Sequence, residues 1–179
     1  MRYCQKIGEG IDVAPVMAQL RAYPELWDQV PLRTTFKGTP FGGTHDIWVR
    51  FGKDPETWNK PHFADWWLAW DVLTELHRIV FDTMRQVRAT TLGGILITNV
   101  PPKGRVATHN DKGNWHPDFY LCKAYVILQA NEKCINTFED ESVIMRTGEA
   151  WIFDNLVAHG VENHGETDRI AMVMCMRTE

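Results

Sequence analysis

Two stretches decide how this sequence is read: Pro101-Pro-Lys-Gly-Arg-Val-Ala-Thr-His-Asn-Asp111 and Trp151-Ile-Phe-Asp-Asn-Leu-Val-Ala-His159. The first leaves a Pro-Pro-Lys-Gly turn, runs through residues of β character and ends on an imidazole and a carboxylate. Side chains two apart on a strand point to one face, so His109 and Asp111 can be aimed at a single point. A second histidine from a later strand would complete two imidazoles and one carboxylate. That facial set, with open positions opposite, is what a non-haem Fe(II) oxygenase centre requires. A competing His-x-Asp, His116-Pro117-Asp118, has a central proline that cannot donate to a ladder and suits a turn or strand edge. His109 with Asp111 is therefore the preferred pair.

Outward from these stretches, the chain beyond Leu92 is a series of short β-type runs set off by turn signals: residues 93–98, 105–109, 123–128, 134–138, 142–145, 150–153 and 169–176. This is the texture of a barrel or sandwich. The first part reads differently. Residues 1–11 suggest a leading arm or edge strand, and Asp12 is placed to cap a short helix with Val16, Met17 and Leu20 on one face, stopped by Pro24. Residues 30–37 and 47–51 read as strands joined by the glycine-rich loop 38–46, a candidate part of a substrate mouth. Residues 52–61 form another loop, leading into the aromatic-rich stretch from His62 to Trp70. Asp71 is placed to cap the best-defined helix, where Val72, Leu73, Leu76, Ile79, Val80, Met84 and Val87 share a buried face. Helices come first and strands later, with no alternation that would demand a parallel α/β sheet. The expectation is one mainly β domain with flanking helices over residues 1–179, with a supporting region at about 12–90 and a β core at about 92–177.

Composition narrows the function classes. A chain of 179 residues, 44% hydrophobic and 23% charged, is ordinary for a folded domain and excludes global disorder. A net charge of -4 without a basic run gives no footprint for a nucleic-acid backbone or an anionic membrane. No apolar run approaches the ~18 residues needed to span a bilayer. Cys4, Cys122, Cys134 and Cys175 are scattered, and the residues after Met1 carry no apolar signal region. Free thiols in a reducing, cytoplasmic setting are expected, where ferrous iron also survives.

Taken in order, residues 101–111, Lys123-Ala-Tyr125, Gly148-Glu-Ala-Trp-Ile-Phe-Asp154-Asn155, His159, Val161, Asn163 and Arg169-Ile170 make a pattern. It resembles the aspartyl/asparaginyl β-hydroxylase-like branch of the Fe(II)/2-oxoglutarate-dependent oxygenases. The resemblance extends from about residue 23 onward, with its specific part between His109 and Arg169. It implies a distorted double-stranded β-helix, a cupin-like jelly roll with helices packed outside. It further implies His109, Asp111 and His159 as Fe(II) ligands, with positions left for a chelating 2-oxo acid and for O2. Some relatives lack the acidic ligand, and this chain keeps it.

The resemblance also implies that Arg169, ten residues after His159, grips the distal carboxylate of 2-oxoglutarate with its planar fork. Lys123 stands where the family often has arginine, and Tyr125 where it often has histidine. In that position Lys123 supplies a point charge to the same carboxylate, with less directional specificity. The implied reaction hydroxylates an unactivated carbon of an amino-acid side chain, free or in a protein, while 2-oxoglutarate becomes succinate and carbon dioxide.

Asp154 and Asn155 are expected to orient the His159 imidazole or close its turn. His116 and His164 are weaker candidates for substrate-side bases. Arg50, Trp115 and the Trp66, Trp67, Trp70 group either face the substrate or pack. A competing reading is a cupin-like metal or small-ligand module without oxygenase chemistry, since fold does not set function. Arg169 discriminates, because a metal holder needs no buried cation beside its site. A third reading makes the tryptophans a partner surface.

Overall fold

Along β6 (Cys122–Gln129) alternate residues enter different cores. Ala124, Val126 and Leu128 pack with helical residues, while Tyr125 and Ile127 pack with Phe138, Trp151 and Phe153. The same alternation runs along β11 (Arg169–Thr178), where Ile170, Met172, Met174 and Met176 face the helices and Ala171 faces the other way. Burial on both faces is why these two runs are apolar almost without interruption. The structure is a computed structural model that describes residues 1–54, 56, 64–112 and 119–178.

A seven-stranded sheet holds these strands. Its members are β1 (Cys4–Gly8), β2 (His45–Phe51), β3 (Asp65–Trp66), β4 (Ala89–Val100), β6, β9 (Ala150–Phe153) and β11. Their spatial order is β1-β9-β6-β11-β4-β2-β3, and each pairing is antiparallel. A four-stranded sheet, in the order β5-β10-β7-β8, is built from β5 (Arg105–His109), β7 (Cys134–Phe138), β8 (Glu141–Val143) and β10 (His159–Asn163). The two sheets form the jelly roll, and the cluster of Tyr125, Ile127, Phe138, Met145, Trp151, Phe153 and Ala171 lies between them.

The outer face of the large sheet is closed by helices. Val16, Met17 and Leu20 of α1 (Ala14–Ala22) and Leu76, Ile79 and Val80 of α4 (Leu76–Gln86) join Ile47, Val49, Ile95 and Ile97 in the largest core cluster. Val13, not Asp12, stands at the N-cap of α1, and Asp12 Oδ1 accepts from the N–H of the helix's first residue, Ala14, at 3.1 Å. Among the described residues, no helix is long and apolar enough to cross a membrane.

Three local expectations are corrected. Residues 30–37 are not a strand: α2 (Leu32–Thr35) forms there, because the Pro31 carbonyl accepts from the Thr34 and Thr35 amides and both their hydroxyls. Local hydroxyl-to-backbone bonds win over a ladder. Asp71 caps nothing, because it lies inside α3 (Leu68–Val72), and α4 begins separately at Leu76. The large sheet also draws β1 and β2 from ahead of residue 92. His62, Trp115 and the His116-Pro117-Asp118 run lie outside the described residues.

Candidate metal centre

β5 and β10 are neighbours in the small sheet, and their register sets His109 directly opposite His159. The two rings stand 4.4 Å apart between centroids. Each imidazole is held in the same way. His109 Nδ1 lies 2.9 Å from the Ala107 carbonyl, and His159 Nδ1 lies 3.0 Å from the Val157 carbonyl. A carbonyl only accepts, so each Nδ1 carries the proton and each Nε2 is left with a lone pair. Burial keeps the rings neutral: it lowers the His109 pKa, and burial together with the Lys123 ammonium pushes His159 down to about 4.

Asp111 arrives differently from the expected strand geometry. β5 ends at His109, and Asp111 lies beyond it, fixed by its own N–H donating to the Asn155 carbonyl at 2.9 Å. Its Oδ1 stands 3.7 Å from His109 Nε2. Burial alone would raise the Asp111 pKa, but Lys123, His159 and the Asn155 amide overcome it and hold the carboxyl at about 2. One ligand atom from each of His109, Asp111 and His159 falls within 4.8 Å of the others. Two neutral imidazoles with free Nε2 lone pairs and one ionised carboxylate are the donor set that suits a divalent first-row metal.

The remaining expected residues divide. Arg169 is 2% exposed at the start of β11. It donates from Nη2 to Asn136 Oδ1 at 2.9 Å and stands 5.1 Å from the centre of the Tyr125 ring. That ring stacks on Phe153, and Phe153 meets His159 edge-on at 5.4 Å, so a chain of aromatic contacts links Arg169 to the triad. Among the described residues, no carboxylate pairs with it. Lys123 binds Asp111 Oδ2. Asn155 also donates to Asp111 Oδ2, at 3.1 Å, so it orients the carboxylate and not the His159 ring; Asp154 closes the turn by accepting from the Leu156 N–H. His164 is exposed and paired with Glu162. Arg50 donates to the Leu92 and Gly93 carbonyls beneath Trp66, while Trp67 packs against Trp48, and Trp70 stacks on His77.

Sequence reading missed two groups. Asn136 shares a face with Cys134 and Phe138 on β7, and a buried polar residue on an otherwise apolar face was the available signal. The other is Arg33 of α2, whose Nε and Nη2 bind the two oxygens of Asp46 at 2.9 and 3.3 Å, with Nη2 also donating to Thr98 at 2.9 Å. Phe41 lies 3.5 Å from the Arg33 guanidinium carbon and meets His109 edge-on at 5.0 Å, which brings loop 38–46 to the edge of the centre.

Several solved structures share this architecture. A 2OG-Fe(II) oxygenase-family oxidoreductase from Burkholderia pseudomallei aligns with a TM-score of 0.55 at 10% identity, over 74% of this chain. This chain spans only 65% of that protein's length. The viral collagen prolyl hydroxylase vCPH from Paramecium bursaria Chlorella virus-1, solved with 2OG, aligns at 0.58 and 12% identity over 99% of this chain and 97% of its own. A prolyl hydroxylase from Trichoplax adhaerens, in complex with a hypoxia inducible factor peptide fragment, aligns at 0.60 and 14% identity over 92% and 77%. At such identities the likeness establishes the fold. No curated protein matches the chain by sequence. The family model for aspartyl/asparaginyl beta-hydroxylase matches residues 69–178, more than half of the sequence though starting later than residue 23. That span contains His109, Asp111, His159 and Arg169, and the chain belongs to the aspartyl/asparaginyl β-hydroxylase family.

Proposed function

We propose that this protein is an Fe(II)- and 2-oxoglutarate-dependent dioxygenase in which His109, Asp111 and His159 hold the metal and Arg169 holds the cosubstrate. The metal, when bound, supplies O2 activation coupled to decarboxylation of the 2-oxo acid. The chain's own residues bind, orient and exclude. Ala107 and Val157 carbonyls keep both Nε2 lone pairs turned toward the centre, and Asn155 and Lys123 fix the carboxylate between them. Phe138 and Phe153 pack against His159, and with Tyr125 they put buried apolar surface beside the centre, which keeps water from the reacting atoms.

The observation that carries this reading is Arg169: a fully buried guanidinium with a neutral amide as its hydrogen-bond partner and no carboxylate among the described residues. An uncompensated buried cation is costly, and a dicarboxylate reaching from the metal toward Arg169 supplies the missing anion. A metal-holding module without a cosubstrate has no use for it. The acceptor is an amino-acid side chain, free or in a peptide. The family and the peptide held by the Trichoplax neighbour support that choice.

The test is succinate formation from 2-oxoglutarate with Fe(II), and a gain of one oxygen atom by candidate amino acids and peptides in mass spectrometry. His109→Ala and His159→Ala should each abolish succinate formation. Turnover that survives in both would reject the ligand assignment.

A further inference from the structure

The two oxygens of Asp111 have different surroundings. Oδ2 accepts from the Lys123 ammonium and from Asn155 Nδ2, whereas Oδ1 faces His109 Nε2. Lys123 is largely buried on β6, opposite Cys175 of β11, and its only ionic partner among the described residues is Asp111. On the β6–β11 ladder Lys123 is paired near the Cys175 end, while Arg169 neighbours the Ile170–Gln129 pairing at the other. Among the described residues, Lys123 pairs with Asp111 and Arg33 with Asp46, while Arg169 has an amide and no carboxylate as its partner.

Resting on the metal reading above, we propose that Lys123 is a positioning residue of the metal centre and not a cosubstrate contact. With Asn155 it occupies Oδ2, so that Oδ1 alone is offered to the metal. Its ammonium also opposes a divalent cation that arrives by itself. A 2-oxo diacid brings two negative charges and relieves that opposition. Chelation already couples metal and diacid, and the charge of Lys123 enlarges that coupling. By linkage, the factor by which the diacid tightens the metal equals the factor by which the metal tightens the diacid.

The experiment is anaerobic titration of the intact protein with Mn(II), with and without saturating 2-oxoglutarate, followed calorimetrically and by loss of the free Mn(II) paramagnetic resonance signal. In the parent protein 2-oxoglutarate should tighten Mn(II) by at least about fivefold. Lys123→Met keeps the apolar stem and removes the charge. It should bind Mn(II) alone roughly tenfold more tightly and show a smaller effect of 2-oxoglutarate. Lys123→Arg keeps the charge and should keep the coupling. Mn(II) affinity unchanged or weaker in Lys123→Met, with weakened 2-oxoglutarate binding, would overturn the inference and make Lys123 a cosubstrate contact. His159→Ala separates the two levels: if it still binds Mn(II) as the parent does, the metal reading itself has failed. If it loses Mn(II) while Lys123→Met behaves like the parent, only the role of Lys123 has.

Discussion

Arg169 shows how one residue can carry a functional conclusion. Among the described residues its guanidinium donates to a single neutral amide, Asn136, which leaves most of its hydrogen-bonding capacity for a ligand. Arg169→Ala should raise the KM for 2-oxoglutarate by roughly 10- to 100-fold, the worth of a charge-assisted hydrogen bond at about 1.5–3 kcal/mol, while Mn(II) binding alone persists. Steady-state succinate assays and metal titration check the two halves. The position was legible because a cation opening an apolar strand is conspicuous. Asn136 was not, since an amide inside a short strand becomes meaningful only when β7 is seen to face β11's first residue.

The two histidines make a second prediction at this scale, about acid. His159 has an ordinary value of 6.5 and is pushed down to about 4 in the fold by burial and Lys123. Between those values the unfolded chain takes up a proton that the folded chain refuses. Stability is therefore full above pH 6.5 and falls as pH drops toward 4, by roughly 3 kcal/mol from this group. Asp111, held at about 2, extends the loss below pH 4. Urea midpoints of the metal-free protein between pH 7.5 and 4.5 should fall accordingly, and a flat profile would contradict the burial of His159.

At the scale of elements, the segment between α1 and β2 was misread for a physical reason. Residues 30–37 have the β-branched threonines of a strand, yet Thr34 and Thr35 turn their hydroxyls back on Pro31. The consequence is functional, because α2 carries Arg33 inward to Asp46 on β2 and Thr98 on β4. Phe41 is thereby held between Arg33 and His109. Asp46 is 1% exposed, so Arg33→Ala would strand a buried carboxylate. A loss of about 3–5 kcal/mol follows, read as a fall in melting temperature. Asp46→Asn in the same background should recover part of it, since the amide removes the unpaired charge. By contrast, the helix α4 and the strands from residue 92 onward were legible, except β10 (His159–Asn163), whose glycine and polar residues hide it. Their apolar spacing is imposed by burial against fixed neighbours, whereas α2 is decided by bonds within a few residues.

Across the whole molecule, the two faces of the large sheet do different work. Its outer face meets α1 and α4 in an unbroken aliphatic cluster, and its inner face carries Lys123, Tyr125, Phe153 and Arg169 toward the small sheet. A single period-2 pattern on β6 and β11 thus sends one parity to the helices and the other toward the proposed centre. What sequence alone could not supply is that β1 and β2 complete the sheet from the other end of the chain, since strand order depends on contacts distant in sequence. One rung of the small sheet has a bearing on how the protein is handled. Because His109 and His159 are matched across a backbone ladder, the spacing of these proposed ligands is built before any ion arrives, unlike in a zinc finger that folds around its metal. A chelator should therefore leave the far-ultraviolet circular dichroism unchanged and lower the melting point only by the mass-action share of a lost ligand, so that apoprotein can be stored, shipped and recharged at will.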